Sequence, residues 1–205
     1  MASATGSRAL IAGHFGLSAI VKARSPYVPL WALMLATVWL DVVFVPLFLT
    51  GIETIDSAPG THGGYGTGII HANYTHSIVG ALALSGMFGY VAYRLWGRRC
   101  GLILGAVVMS HWLLDLIVHR ADLPLLPGNA GGLPTLGFGL WRYPGLSAVA
   151  ELTLVVAGAC LYWRAARLLP HPRSERVRYR AATVAILILV SGCGILFLDV
   201  TNLAS

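Results

Sequence analysis

His111 and Asp115 stand in a stretch of chain that is otherwise soluble in lipid. Residues 101–118 read GLILGAVVMSHWLLDLIV and are apolar apart from Ser110, His111 and Asp115. An acid at the centre of a spanning helix costs roughly 2.5–3.5 kcal/mol on insertion scales, so it faces the bundle interior and a partner. The spacing places both side chains on one helix face, one turn apart. An imidazole and a carboxylate so placed form half of a metal site or an acid–base pair. Four other ionisable residues fall at similar depth in apolar segments: His14, Asp41, His76 and Glu151. Three neutral imidazoles with two or three carboxylates make the N/O set that zinc, manganese or iron accepts, with no thiolate to select softer ions. Catalytic zinc usually keeps three protein ligands, so a larger set leaves room for a second ion or a general base.

The elements that must position these residues follow from composition. The 205 residues are 57% hydrophobic and only 11% charged, with a mean hydropathy of +0.74. Soluble domains carry about 25% charged residues, so the chain reads as an integral membrane protein. About 20 apolar residues span a bilayer, and five runs qualify: 29–51, 75–96, 101–118, 145–163 and 181–200. A sixth, 9–21, is shorter and contains His14. It lacks a small-x-small cleavage site and reads as a retained helix, spanning or re-entrant. The expected fold is all-α, one polytopic helix bundle over residues 1–205 with five long transmembrane helices and a shorter N-terminal one.

The net charge of +6 raises the question of nucleic acid, and the distribution answers it. Lys22 and Arg24, then Arg94, Arg98 and Arg99, then Arg164, Arg167, Arg173, Arg176, Arg178 and Arg180 occupy three connections on one side of a six-segment path. Only Arg8, Arg120 and Arg142 remain for the other side. This is the positive-inside bias: the basic loops are cytoplasmic and both termini face out. Anionic headgroups, not nucleic acid, are the partner of such a run. On this path His14, Asp41, His76, His111, Asp115 and Glu151 all fall in the outer half of their segments, which favours one site opening outward.

Plainer roles exist for single residues. A lone histidine such as His14 often serves as a hydrogen-bonded core residue, and Asp41 could pair with a buried histidine. Asn73 and Thr75 suit helix N-cap chemistry. His119 continues the ladder after Asp115 but falls near the interface. His62, His71 and His171 lie in loops. Cys100, Cys160 and Cys193 are isolated and read as packing residues. Two Gly/Pro-rich loops, 52–74 and 120–144, fall on the outer side, and the LGFGLW string at 136–141 is apolar enough for an interfacial flap.

The strings Thr75-His76-Ser77 and Ser110-His111-Trp112-Leu113-Leu114-Asp115, with His14 and Asp41 upstream, resemble the bacterial inner-membrane family described as membrane-bound metal-dependent hydrolases. That family is distantly similar to zinc-dependent phospholipase C and single-strand-specific nucleases. The resemblance covers about the first 120 residues. The Asp41 segment lacks the more acidic, Pro-Asp-type string of the family. The resemblance implies metal and hydrolysis in the bacterial inner membrane, and no substrate.

The leading expectation is a metal-dependent hydrolase acting on an ester or phosphoester of a lipid or lipid-linked substrate. His76, His111 and Asp115 are the ligands, His14 and Asp41 complete or add a site, Glu151 is the general base, and Arg142 neutralises a phosphate as a planar fork. The alternatives are a transporter that relays protons or a cation through the same groups, and a haem protein using His76 and His111.

Overall fold

The computed structural model describes residues 11–57, 68–168 and 174–201. His62, His171 and Arg173, with the side chains of Arg176, Arg178, Arg180 and Asp199, lie outside the described set. The helices are α1 (Ile11–Arg24), α2 (Leu30–Thr37), α3 (Trp39–Leu49), α4 (Ile78–Trp96), α5 (Arg98–Val118), α6 (Pro144–Arg167) and α7 (Ser174–Thr201). Helices α4, α5 and α6 are long and apolar enough to cross a membrane, as an integral membrane protein requires.

Among the described residues, five long spans are not confirmed. The 29–51 run is two helices, α2 and α3, that meet at 48° and together make a fourth candidate span. The final helix, α7, is 28 residues long, but its apolar stretch among the described residues is only Ala182–Gly194. The break between α2 and α3 sits at Val38, with φ −114° and ψ 13°. It needs neither proline nor glycine, because the carbonyl it releases has another partner, described below. Irregular backbone at membrane depth is tolerated only where protein satisfies it.

The outward faces are apolar. Leu82, Met87, Val91 and Leu95 of α4 and Leu102, Leu113 and Ile117 of α5 are exposed, rows that lipid solvates and water does not. Since lipid is as apolar as leucine, the helices associate by close packing of small residues. A Cβ on Gly101 of α5 would stand 2.7 Å from the Gly89 carbonyl of α4, and one on Gly105 3.1 Å from that of Ser85. On the other side of the bundle, a Cβ on Gly158 of α6 would stand 2.8 Å from Gly16 Cα of α1. Gly97 is the sole residue between α4 and α5, and its φ of 85° suits glycine. Between these helices and α2 lies the main core, with Leu33, Leu40, Leu104, Val108 and Trp112 buried together.

The described parts of the 52–74 loop, residues 52–57 and 68–74, include two paired strands. Strands β1 (Thr54–Ser57) and β2 (Gly68–His71) pair antiparallel, Thr54 opposite His71 and Ser57 opposite Gly68. Ile70 of this hairpin packs with Val118 and Trp141 over the end of α5. The 136–141 string is held down in the same place. Leu136 bridges to Leu123, and Trp141 is buried, so only Phe138 keeps the exposure of a flap.

Candidate metal centre

Five of the residues singled out in the sequence meet. His14 comes from α1, Asp41 from the first turn of α3, His76 from the approach to α4, and His111 and Asp115 from α5. His14, His76, His111 and Asp115 are buried, while the Asp41 side chain is 29% exposed and marks the open side. His76 Nε2 and His111 Nε2 stand 3.4 Å apart. Asp41 Oδ1 is 3.6 Å from the first and 3.5 Å from the second. Asp115 Oδ2 is 3.5 Å from His76 Nε2 and 3.1 Å from His111 Nε2. Around one ion at bond lengths of about 2.0–2.2 Å, tetrahedral ligands stand roughly 3.3–3.6 Å apart. Asp41, His76 and His111 are spaced as ligands of one coordination sphere, with Asp115 Oδ2 close to both histidines.

The hydrogen bonds behind the histidines fix which nitrogen faces this space. His111 Nδ1 lies 2.7 Å from the Thr37 carbonyl, which can only accept, so Nδ1 carries the proton. That carbonyl is the one released by the break between α2 and α3. His76 Nδ1 lies 2.9 Å from Thr75 Oγ1. The Thr75 hydroxyl in turn donates to Glu53 Oε2 at 2.9 Å, leaving its lone pair to accept from His76. Both Nε2 atoms are therefore bare in the neutral rings. In the neutral rings, two imidazole lone pairs and two carboxylate oxygens converge. Such a set suits a divalent cation, with its ring orientations set by a backbone carbonyl and a Thr–Glu pair in the manner of metal-binding histidines.

Sequence reasoning passed over Glu53. It is fully buried and accepts from the amides of Tyr74 at 2.8 Å and Thr75 at 2.9 Å as well as from the Thr75 hydroxyl. Its signal was an acid flanked by a loop rather than by an apolar run. The N-cap reading of Asn73 and Thr75 is corrected: Ser77 caps α4, its hydroxyl accepting from Gly80 N at 3.0 Å, which leaves Thr75 to position His76. Trp112 Nε1 donates to the His76 carbonyl at 2.8 Å and pins this approach to α5. His119, read as interfacial, is buried. His71 stays apart from the centre, paired with Asp56 at 3.2 Å on the hairpin.

The two residues given catalytic roles are placed differently. Glu151 is buried on α6, where Oε2 accepts from Gly13 N at 3.3 Å, one residue from His14. Glu151 and His14 also line one cavity of about 400 Å³, whose other walls include Leu114, Ile117, Leu140 and Leu154. Arg142 is exposed, beside the buried Trp141 in the turn Leu140–Arg142, and stands outside the five-residue cluster. No protein-family model, curated protein or solved structure matches this chain.

Proposed function

We propose that this chain is a membrane-embedded, metal-dependent hydrolase of the kind its THS and SHxxxD strings resemble, acting on an ester or phosphoester of a lipid or lipid-linked substrate. The observation that carries the reading is the meeting of His76, His111, Asp41 and Asp115 with both imidazole Nε2 atoms turned toward the two carboxylates. Zinc fits this donor set, as do manganese and iron. When bound, a divalent ion there supplies positive charge that polarises an ester or phosphoryl oxygen and makes hydroxide available near neutral pH.

The chain's own residues do the rest. Asp41 holds the open side of the centre, and the cavity beside His14 offers a hydrocarbon chain an apolar wall with Glu151 at its polar end. Glu151 takes a proton from the attacking water, and Arg142 meets the phosphate at the surface. Sidedness follows the basic loops: they lie in the cytoplasm, and the centre opens to the outer face of a bacterial inner membrane.

Full-length protein purified in detergent should hold divalent metal, and His111→Ala and Asp115→Ala should lose most of it. Glu151→Gln should keep the metal and hydrolyse a fluorescent phospholipid or lipid ester roughly 100- to 10,000-fold more slowly. Full occupancy in both alanine variants would end the metal reading. A second reading has one observation in its favour, since ion-coupled transporters build their sites at broken helices such as α2–α3. Metal flux in proteoliposomes without turnover of any lipid would favour it over hydrolysis.

A further inference from the structure

Asp115 faces two ways. Its Oδ2 belongs to the pair His76 and His111, at 3.5 and 3.1 Å. Its Oδ1 faces a different pair, His14 Nε2 at 3.6 Å and His119 Nε2 at 4.0 Å. His111 cannot serve both sides, because its Nδ1 is bonded to the Thr37 carbonyl and only Nε2 is left.

His119 has the same backing as the first two histidines. Its Nδ1 lies 3.0 Å from Asp122 Oδ1, and the other oxygen of Asp122 accepts from Ile70 N at 3.2 Å. Its ring lies on Trp141, with centroids 4.3 Å apart. The carboxylate takes the Nδ1 proton, so Nε2 is bare and points at Asp115 across a gap too long for a hydrogen bond. A histidine held by a carboxylate and an indole ring, with its lone pair toward a carboxylate oxygen, is arranged for a cation between them.

We infer that the chain binds a second divalent ion between His14 Nε2, His119 Nε2 and Asp115 Oδ1, with Asp115 bridging it to the first. Three protein donors leave positions open on this ion, and His14 lines the cavity that also holds Glu151. Paired ions about 3.5–4 Å apart stabilise both the entering and the leaving oxygen of an in-line displacement at phosphorus. Among the ester substrates considered above, a paired centre suits a phosphoester. The inference rests on the metal reading proposed above and extends it to residues outside that first set.

The test is metal stoichiometry on full-length protein in detergent, stripped with chelator and reloaded with Mn²⁺, with electron paramagnetic resonance on the same samples. Wild type should hold two ions per chain and show the signal of a spin-coupled pair. His119→Ala should hold one ion, with the spectrum of isolated Mn²⁺. Asp122→Asn, which keeps the imidazole and weakens only its backing, should bind the second ion roughly 10- to 100-fold more weakly. The Asp122→Asn titration decides the case if His119→Ala does not elute as a single species. One ion in both wild type and His119→Ala would overturn the second position and leave the first standing. Two ions in His119→Ala would overturn the assignment of His119. No ion in wild type would remove the metal reading altogether.

Discussion

Glu53 shows how far the support of a histidine reaches. Its carboxylate takes two backbone amides and the Thr75 hydroxyl, and Thr75 passes the orientation to His76. Glu53→Gln keeps the length but removes the charge that draws the Thr75 proton, which frees Thr75 to donate toward His76 and disturbs its tautomer. Metal affinity should fall by roughly 10- to 100-fold, the usual effect of losing such a support, read by competition against a chelator. Unchanged affinity would reduce Glu53 to a loop anchor. The five residues that meet were legible because an ionisable group inside an apolar run is conspicuous. Glu53 and Asp122 were not, since both lie in loops where polar residues are common, and His119, which continues the ladder after Asp115, lies at a segment end that reads as interfacial. Only the hairpin and the packing of Trp141 bring them to the centre.

At the scale of elements, the site depends on two contacts made by glycine. The crossing of α1 and α6 brings Gly16 and Gly158 backbone to backbone, and this carries His14 and Glu151 to neighbouring positions. The α4–α5 contact through Ser85, Gly89, Gly101 and Gly105 does the same for His76 and His111. Gly16→Val would drive a side chain into the Leu154 backbone. Overpacking of this kind costs about 1–3 kcal/mol or more, so the variant should unfold at lower temperature in detergent and bind less metal. Gly86→Val is the control, because a Cβ there meets nothing within 4 Å. Equal melting of the two variants would mean that the crossing does not hold the fold. Apolar run length foretold the long helices α4, α5 and α6. It could not foretell the break at Val38, because that break is stabilised from outside, by His111 taking the Thr37 carbonyl. Nor did composition reveal the β1–β2 hairpin, whose strands are four residues each.

In the whole molecule, basic residues and aromatic rings gather at the same helix ends. Tyr27, Trp31, Tyr90, Tyr93 and Trp96 are exposed near the ends that carry Lys22, Arg24, Arg94, Arg98 and Arg99, the belt expected at a membrane surface. Arg94 lies over the Tyr90 ring and Arg167 over that of Trp163, at 5.9 and 5.6 Å. With Cys100, Cys160 and Cys193 replaced, a single cysteine at position 133 should react with an impermeant reagent added outside intact cells, and one at position 98 should not. The reverse pattern would turn the centre toward the cytoplasm.

The single-residue link at Gly97 bears on how such a chain is made. Helices α4 and α5 are joined by one residue on the basic side, a link short enough for them to enter the bilayer together as one hairpin. Asp115 would resist insertion on a lone helix, at roughly 2.5–3.5 kcal/mol on the biological scale. In the hairpin it arrives already facing α4, with Trp112 bonded to the His76 carbonyl. Biogenesis and chemistry thus share one requirement, that the two helices never be parted.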